Sequence, residues 1–166
     1  MKQFFFGKKH DIILIVEPQV IKMEIKNKKA YFDYYVERDL EAGLVLKGTE
    51  IKSIRKGSAD IKDCYIKIKD NEAFIINMYI AKYEEGNRFN HEERRTRKLL
   101  LHKREILKLK DESEKAGYTI IPLKLYIKYG KAKLLIGVCK GKHLYDKRQV
   151  LKEKTLAREA KQNLEY

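Results

Sequence analysis

Apolar and polar residues alternate through much of this chain of 166 residues, and the period of that alternation predicts its elements. Tyr65-Ile66-Lys67-Ile68-Lys69 switches at every step, Asp70-Asn71 supplies turn chemistry and Ala73 to Ile80 returns, so residues 60–80 predict a β-hairpin. A second hairpin is predicted from Tyr118 to Lys128 and Lys131 to Val138, turned at Tyr129-Gly130. Tyr31 to Val36 is aromatic and β-branched and predicts a strand, as does Gly43-Leu44-Val45-Leu46. Helical spacing occurs twice. In residues 48–58, Ile51 and Ile54 share a face, Thr49 is placed to cap, Gly57 to stop, and Lys52, Arg55 and Lys56 fall toward solvent. From Leu99 to Lys110, Leu99, Leu100, Ile106 and Leu107 lie on one side, which predicts an amphipathic helix closed off by Gly117. Residues 84–98 are polar and charged and predict a loop.

Five or six antiparallel strands with short helices between them predict a mainly β fold, a small closed barrel of the oligonucleotide-binding (OB-like) kind. Closure removes the unpaired edges that so much strand would expose. Residues 1–22 read as an N-terminal extension, whose run Ile12 to Val16 predicts either an edge strand or a poorly ordered segment. The barrel occupies residues 23–139. Beyond Val138 the alternation stops, and Lys140, Lys142, Lys147, Arg148, Lys152 and Lys154 crowd in. Residues 140–166 cannot bury enough apolar surface to offset their ordering entropy, which predicts a flexible basic tail, disordered until bound. Val150, Leu151, Leu156, Ala157, Ala160 and Leu164 give it a weak helical preference, and an isolated helix of that length is marginal in water.

Charge then narrows the class of partner. Thirty-eight Lys and Arg against 24 Asp and Glu leave a formal charge of +14, which points to an anion and first of all to nucleic acid. Cys64 and Cys139 lie far apart with no metal-ligand spacing, so neither a disulfide nor a zinc site is expected, and a reducing cytoplasm follows. No apolar run approaches the roughly 20 residues that cross a membrane.

Candidate chemistry is mostly basic. His10, His91, His102 and His143 show no ligand spacing, and Asp60, Asp63 and Asp70 read as turn chemistry. GVCKGK (137–142) lacks the spacing and the Ser or Thr of a phosphate loop. Arg88, Arg94, Arg95, Arg97 and Lys98 cluster near Phe89 and His91, where guanidinium forks can bind phosphate and stack on bases. Glu92 and Glu93 support the alternative of a solvated, charge-laced loop. A metal-dependent nuclease would need carboxylates converging from elsewhere in the chain; a generic single-strand binder would need no preferred RNA.

Four blocks carry a more specific signal: NKKAYFDYYVERDLEAGLVLKGTEIKSIRKGSADIKDCYI (27–66), EAFIINMYIAKYE (72–84), RTRKLLLHKREI (95–106) and GVCKGKHLYDKRQVLKEK (137–154). In order and spacing they resemble the SmpB family, the bacterial SsrA-binding proteins, over about residues 23 to 154. The resemblance implies a six-stranded OB-like barrel with three short helices. It implies an RNA-binding adaptor, not an enzyme and without cofactor or metal, that binds the tRNA-like domain of tmRNA (SsrA RNA). Such an adaptor delivers tmRNA to stalled ribosomes for trans-translation. Its tail enters the empty messenger channel and reaches small-subunit rRNA at the decoding centre. Elongation factor Tu, within the alanyl-tmRNA complex, is a further implied partner, and the protein is expected to act as a monomer in the cytoplasm.

By the same resemblance, tmRNA is met by Asn27, Lys28, Lys29, Glu41, Arg97, Leu100 and Lys133, and the decoding centre by Lys140, Lys142, Tyr145, Asp146, Lys147 and Arg148. Three features depart from the pattern. Tyr31-Phe32 stands where Arg-His is common, His143 where lysine is usual, and the first 22 residues exceed the usual start, for which Met23 is the natural counterpart.

Overall fold

The computed structural model of the protein describes residues 23–164; the expectations for residues 1–22 lie outside the described residues. Strand β1 (Glu24–Lys26) leads to Asn27, whose Oδ1 accepts the Ala30 amide at 3.0 Å and starts helix α1 (Lys28–Asp33). An Asn cap ahead of Lys-Lys-Ala outweighs the β preference of Tyr31 and Phe32, so the strand expected from Tyr31 begins only at Tyr34. Strand β2 (Tyr34–Leu44) then runs for 11 residues and takes in the first half of what was expected as a separate strand at Gly43–Leu46. Glu37, Asp39 and Glu41 line its exposed face, and those charges make one continuous strand read as two.

Helix α2 (Gly48–Arg55) is capped by Glu50, which accepts the Lys47 amide at 2.6 Å, and not by Thr49. The Thr49 hydroxyl instead lies 2.9 Å from Nδ1 of the buried His91. After β3 (Ala59–Asp60) come β4 (Tyr65–Lys69) and β5 (Glu72–Ile76), joined at Asp70 and Asn71 with φ of 52° and 57°, the left-handed pair that a tight hairpin requires. Asn77, at φ 64°, breaks the returning strand, so β6 (Tyr79–Ile80) leaves β5 and pairs with β3.

The expected loop 84–98 contains a 3-10 helix (Glu84–Phe89) and the start of β7 (Arg97–Leu100). Leu99 and Leu100 therefore belong to a strand, and helix α3 (Lys103–Ser113) begins later, where Glu105 accepts the His102 amide. Strands β8 (Tyr118–Lys128) and β9 (Lys131–Gly141) form the expected hairpin, and helix α4 (Leu144–Leu164) follows.

The fold is mainly β and antiparallel, with nine strands and four α-helices among the described residues. The closed barrel is corrected. The larger sheet is an open series of seven strands, β1-β8-β9-β2-β7-β5-β4, and β3-β6 is a separate pair. Its far end curls until β4 comes alongside β8. β9 pairs along one edge of β8 and β1 takes the other at Lys124–Tyr126, and no hydrogen-bonded ladder joins β4 to β8. Ile54, Ile75, Met78, Leu99, Leu109, Leu125 and Leu134 fill the enclosed core.

The boundary of the tail also moves. Strand β9 runs to Gly141, so Lys140 lies in the sheet, opposite Tyr35 and Tyr118, and the tail begins at Lys142. In the segment expected as a flexible tail with a weak helical preference, α4 forms from good helix formers, and every residue from Leu151 to Ala160 is exposed. Beyond its first two turns the helix has no buried face, and that part has little besides its own propensity to hold it.

Candidate nucleic-acid interface

Strand register brings three of the expected residues to one corner. Gly43 on β2 lies opposite Leu100 on one side and Lys133 on the other, and Glu41 sits two residues back on the same strand. Side chains two apart on a strand share a face. The Glu41 carboxylate accepts hydrogen bonds from the Tyr126 hydroxyl and from Lys128 and Lys133, each ammonium 3.3 Å away. The Tyr126 hydrogen bond and the two lysines hold the Glu41 carboxyl below its usual range against the opposing effect of burial. Burial, followed by the same carboxylate, pushes the Tyr126 phenol up. Glu41 is thus an anchor that fixes two ammonium groups at a stated spot and leaves that spot net positive.

Beside this cluster runs a groove of about 410 Å³. Leu44, Leu46, Ile51, Leu100 and Ala132 form its apolar part, and Lys131 and Lys133 its basic margin. Leu100 is 55% exposed, unusual for a leucine on a core strand. Gly43 makes room for it: a Cβ there would meet the Leu100 Cβ at 3.1 Å. The far wall is steadied by Arg55, which donates to the Gly130 carbonyl at 3.0 Å. An apolar floor beside fixed cations suits an unstacked nucleobase whose ribose-phosphate lies over the lysines.

The other expected residues fall elsewhere. Asn27 is wholly buried: its amide nitrogen donates to the carbonyls of Ile61 (3.0 Å) and Pro122 (2.9 Å) while its oxygen caps α1. Lys28 is exposed on α1, and Lys29 is paired with Asp63 at 2.8 Å. Arg97 is also wholly buried. It donates to Glu50 at 2.9 Å and to the carbonyls of Met78, Glu93 and Arg95, so no part of its fork is left for phosphate. Arg95 binds the same Glu50 carboxylate at 2.5 Å, Arg94 donates to Asn77, and Lys98 to Glu72. Of the basic cluster of residues 94–98, Arg95 and Arg97 are therefore spent on Glu50, while Arg94 and Lys98 are paired at the surface. The product of the Glu50 pairing is a fixed α2, whose Ile51 walls the groove. Burial alone would raise the Glu50 carboxyl, but Arg95, the Lys47 amide and Arg97 together hold it below its usual range.

Of the tail residues, Lys142 and Lys147 touch the body, while Tyr145 and Arg148 are exposed and Asp146 accepts the His143 amide. Sequence reasoning missed Gly43, Leu46, Ile51, Tyr126, Lys128 and Ala132. The alternation Lys124-Tyr126-Lys128 places these three on one face of β8, but only the register carries that face to Glu41. Among the described residues no three His, Cys, Asp or Glu side chains converge as metal ligands, and no helix is long and apolar enough to cross a membrane.

Comparison with known proteins sets this geometry in context. A family model described as "SmpB protein" matches residues 24–166. The SsrA-binding protein of Staphylococcus aureus strain Newman is 58% identical over 139 residues, covering 84% of this chain and 90% of the relative; that of strain COL matches equally. A chain of the solved structure described as "tmRNA-SmpB: a journey to the center of the bacterial ribosome" superposes with a TM-score of 0.64 at 42% identity, covering 74% of this chain and 86% of that one.

Proposed function

The chain belongs to the SmpB family, and on that premise we propose that it is the RNA-binding adaptor that carries tmRNA to stalled ribosomes. The observation that carries this reading is the convergence of Glu41, Leu100 and Lys133 on one corner, with Tyr126, Lys128 and the apolar groove completing it. That corner takes the tRNA-like domain of tmRNA: Lys128 and Lys133 meet phosphate or ribose, and Leu100 with Ile51 packs a base. Asn27 and Arg97 serve the site indirectly, by fixing α1 and α2. At the opposite end of β2, the tail from Lys142 onward occupies the empty messenger channel. There Tyr145, Asp146, Lys147 and Arg148 meet rRNA around the decoding centre, and α4 gains contacts along the length that is solvated in the free protein. The adaptor works as a cytoplasmic monomer without catalysis of its own, alongside elongation factor Tu in the alanyl-tmRNA complex.

Competition binding of tmRNA against transfer RNA at a stated ionic strength tests the corner, since phosphate-driven affinity falls steeply with salt. A preference for tmRNA is expected for the full chain and for a chain truncated after Lys142. Replacing Asp146, Lys147 and Arg148 together by alanine is expected to spare tmRNA binding and abolish peptide tagging. Equal loss of tmRNA affinity in both the tail and the corner variants would falsify this division of labour.

A further inference from the structure

Two of the tail cations are already occupied in the free protein, and by one short segment. Lys147 on α4 forms an ion pair with Asp33 at the end of α1, at 2.8 Å, with both side chains less than one-third exposed. Ahead of it, the Lys142 amide donates to the Asp33 carbonyl at 2.9 Å and the Lys142 ammonium to the Tyr31 carbonyl at 3.0 Å. The same ammonium lies 4.8 Å from the centre of the Tyr35 ring. Two turns beyond Lys147, Lys154 lies 5.4 Å from the ring of Phe32. Three lysines of the tail thus meet Tyr31, Phe32, Asp33 and Tyr35, and Asp146 reaches the Tyr35 hydroxyl, whereas α4 from Leu151 to Ala160 is exposed.

We propose that α1 and the first residues of β2 form a docking surface for the chain's own C-terminal helix, and that this surface competes with RNA for Lys142 and Lys147. The contact sets the direction in which α4 leaves the body and withholds those two cations from stray polyanions. A ribosome takes the tail only by exchanging Asp33 and the aromatic rings for phosphate, and it supplies many phosphates where α1 supplies one carboxylate. The ribosomal half of this competition rests on the function proposed above; the docking itself does not.

The test compares the full-length protein with Asp33→Asn, which removes the charge and keeps the backbone carbonyl, and with Asp33→Glu, which restores the charge. Hydrogen exchange of the amides of residues 144–150 is expected to quicken about five-fold in Asp33→Asn, the size of one partly exposed ion pair, with β8 and β9 unchanged and Asp33→Glu close to the parent. Association of the tmRNA complex with ribosomes stalled on truncated message is expected to strengthen in Asp33→Asn by a similar factor. Identical exchange in parent and Asp33→Asn overturns the docking surface. Faster exchange with unchanged or weaker ribosome association overturns the competition. A parent protein that binds tmRNA but never associates with stalled ribosomes overturns the functional premise instead, and the exchange result then decides the docking alone.

Discussion

The two ends of β2 are built on opposite principles. At the Glu41–Leu44 end, the side chains that shape the groove stand on a fully buried ion pair, Arg97 with Glu50, and on a carboxylate held by three donors. At the Tyr34 end, α4 is held by one half-buried ion pair and by lysines over aromatic rings, and most of its length touches nothing. The contrast teaches that a cation's role here follows from what surrounds it and not from its count. Arg97 is entirely spent on architecture, Lys133 is placed but accessible, and Lys147 is held by a contact that a stronger anion can replace.

The largest effect to look for is in local stability. Amides of α4 beyond Leu151 should exchange about a thousandfold faster than those at the centre of β9, because the helix opens alone while the strand opens only with the whole sheet. Comparable protection in both would erase the distinction between the two ends.

Next in size is the ion pair beneath the groove. Glu50→Gln leaves the Arg97 guanidinium buried without its counter-charge and should cost about 3 kcal/mol in urea unfolding, whereas Asp33→Asn should cost less than about 1 kcal/mol. The Glu50 effect has a pH signature. Its carboxyl is depressed in the folded chain, so its stabilisation is complete above the unfolded value of about 4.3 and is lost as pH falls through the lower folded value. The parent should therefore lose stability across that acidic window more steeply than Glu50→Gln.

Smaller effects should separate binding from folding. Leu100→Ala removes an exposed side chain, so it should lower tmRNA affinity about tenfold with little change in melting temperature. Gly43→Ala should lower affinity about threefold, by pressing its Cβ against Leu100 and tilting that side chain from the groove. If Gly43→Ala proved harsher than Leu100→Ala, the groove would depend on backbone approach more than on the leucine.

Much of this was legible in the sequence wherever local chemistry decides. Asp70-Asn71 and Tyr129-Gly130 mark their turns, and the alternation of Tyr65 to Lys69 gives its strand directly. What was illegible depends on partners distant in the chain. Tyr31 and Phe32 read as strand until Asn27 is seen capping the helix that contains them, and Leu99-Leu100 reads as helix until β2 and β5 are seen flanking it. The site divides in the same way. Family resemblance points to Glu41, Leu100 and Lys133, but nothing local shows that Tyr126 and Lys128 share the Glu41 carboxylate. Nor does it show that Arg97, in so basic a stretch, faces inward toward an acid 47 residues earlier.

Strand β2 has one more consequence, because its pairing with β9 is unbroken in direction from Lys133 to Gly141 apart from one bulge between Val36 and Arg38. The ribbon is in effect a gauge. From Tyr34 to Gly43 it spans roughly 30 Å, and this span fixes how far the point of tmRNA attachment stands from the root of the tail. Excising two residues from each of β2, β8 and β9 would keep every side chain on its proper face yet draw the two points together by roughly 7 Å. Such a shortened protein should hold tmRNA and retain a basic tail, and should still tag poorly, since neither RNA could be reached at the right separation from the other.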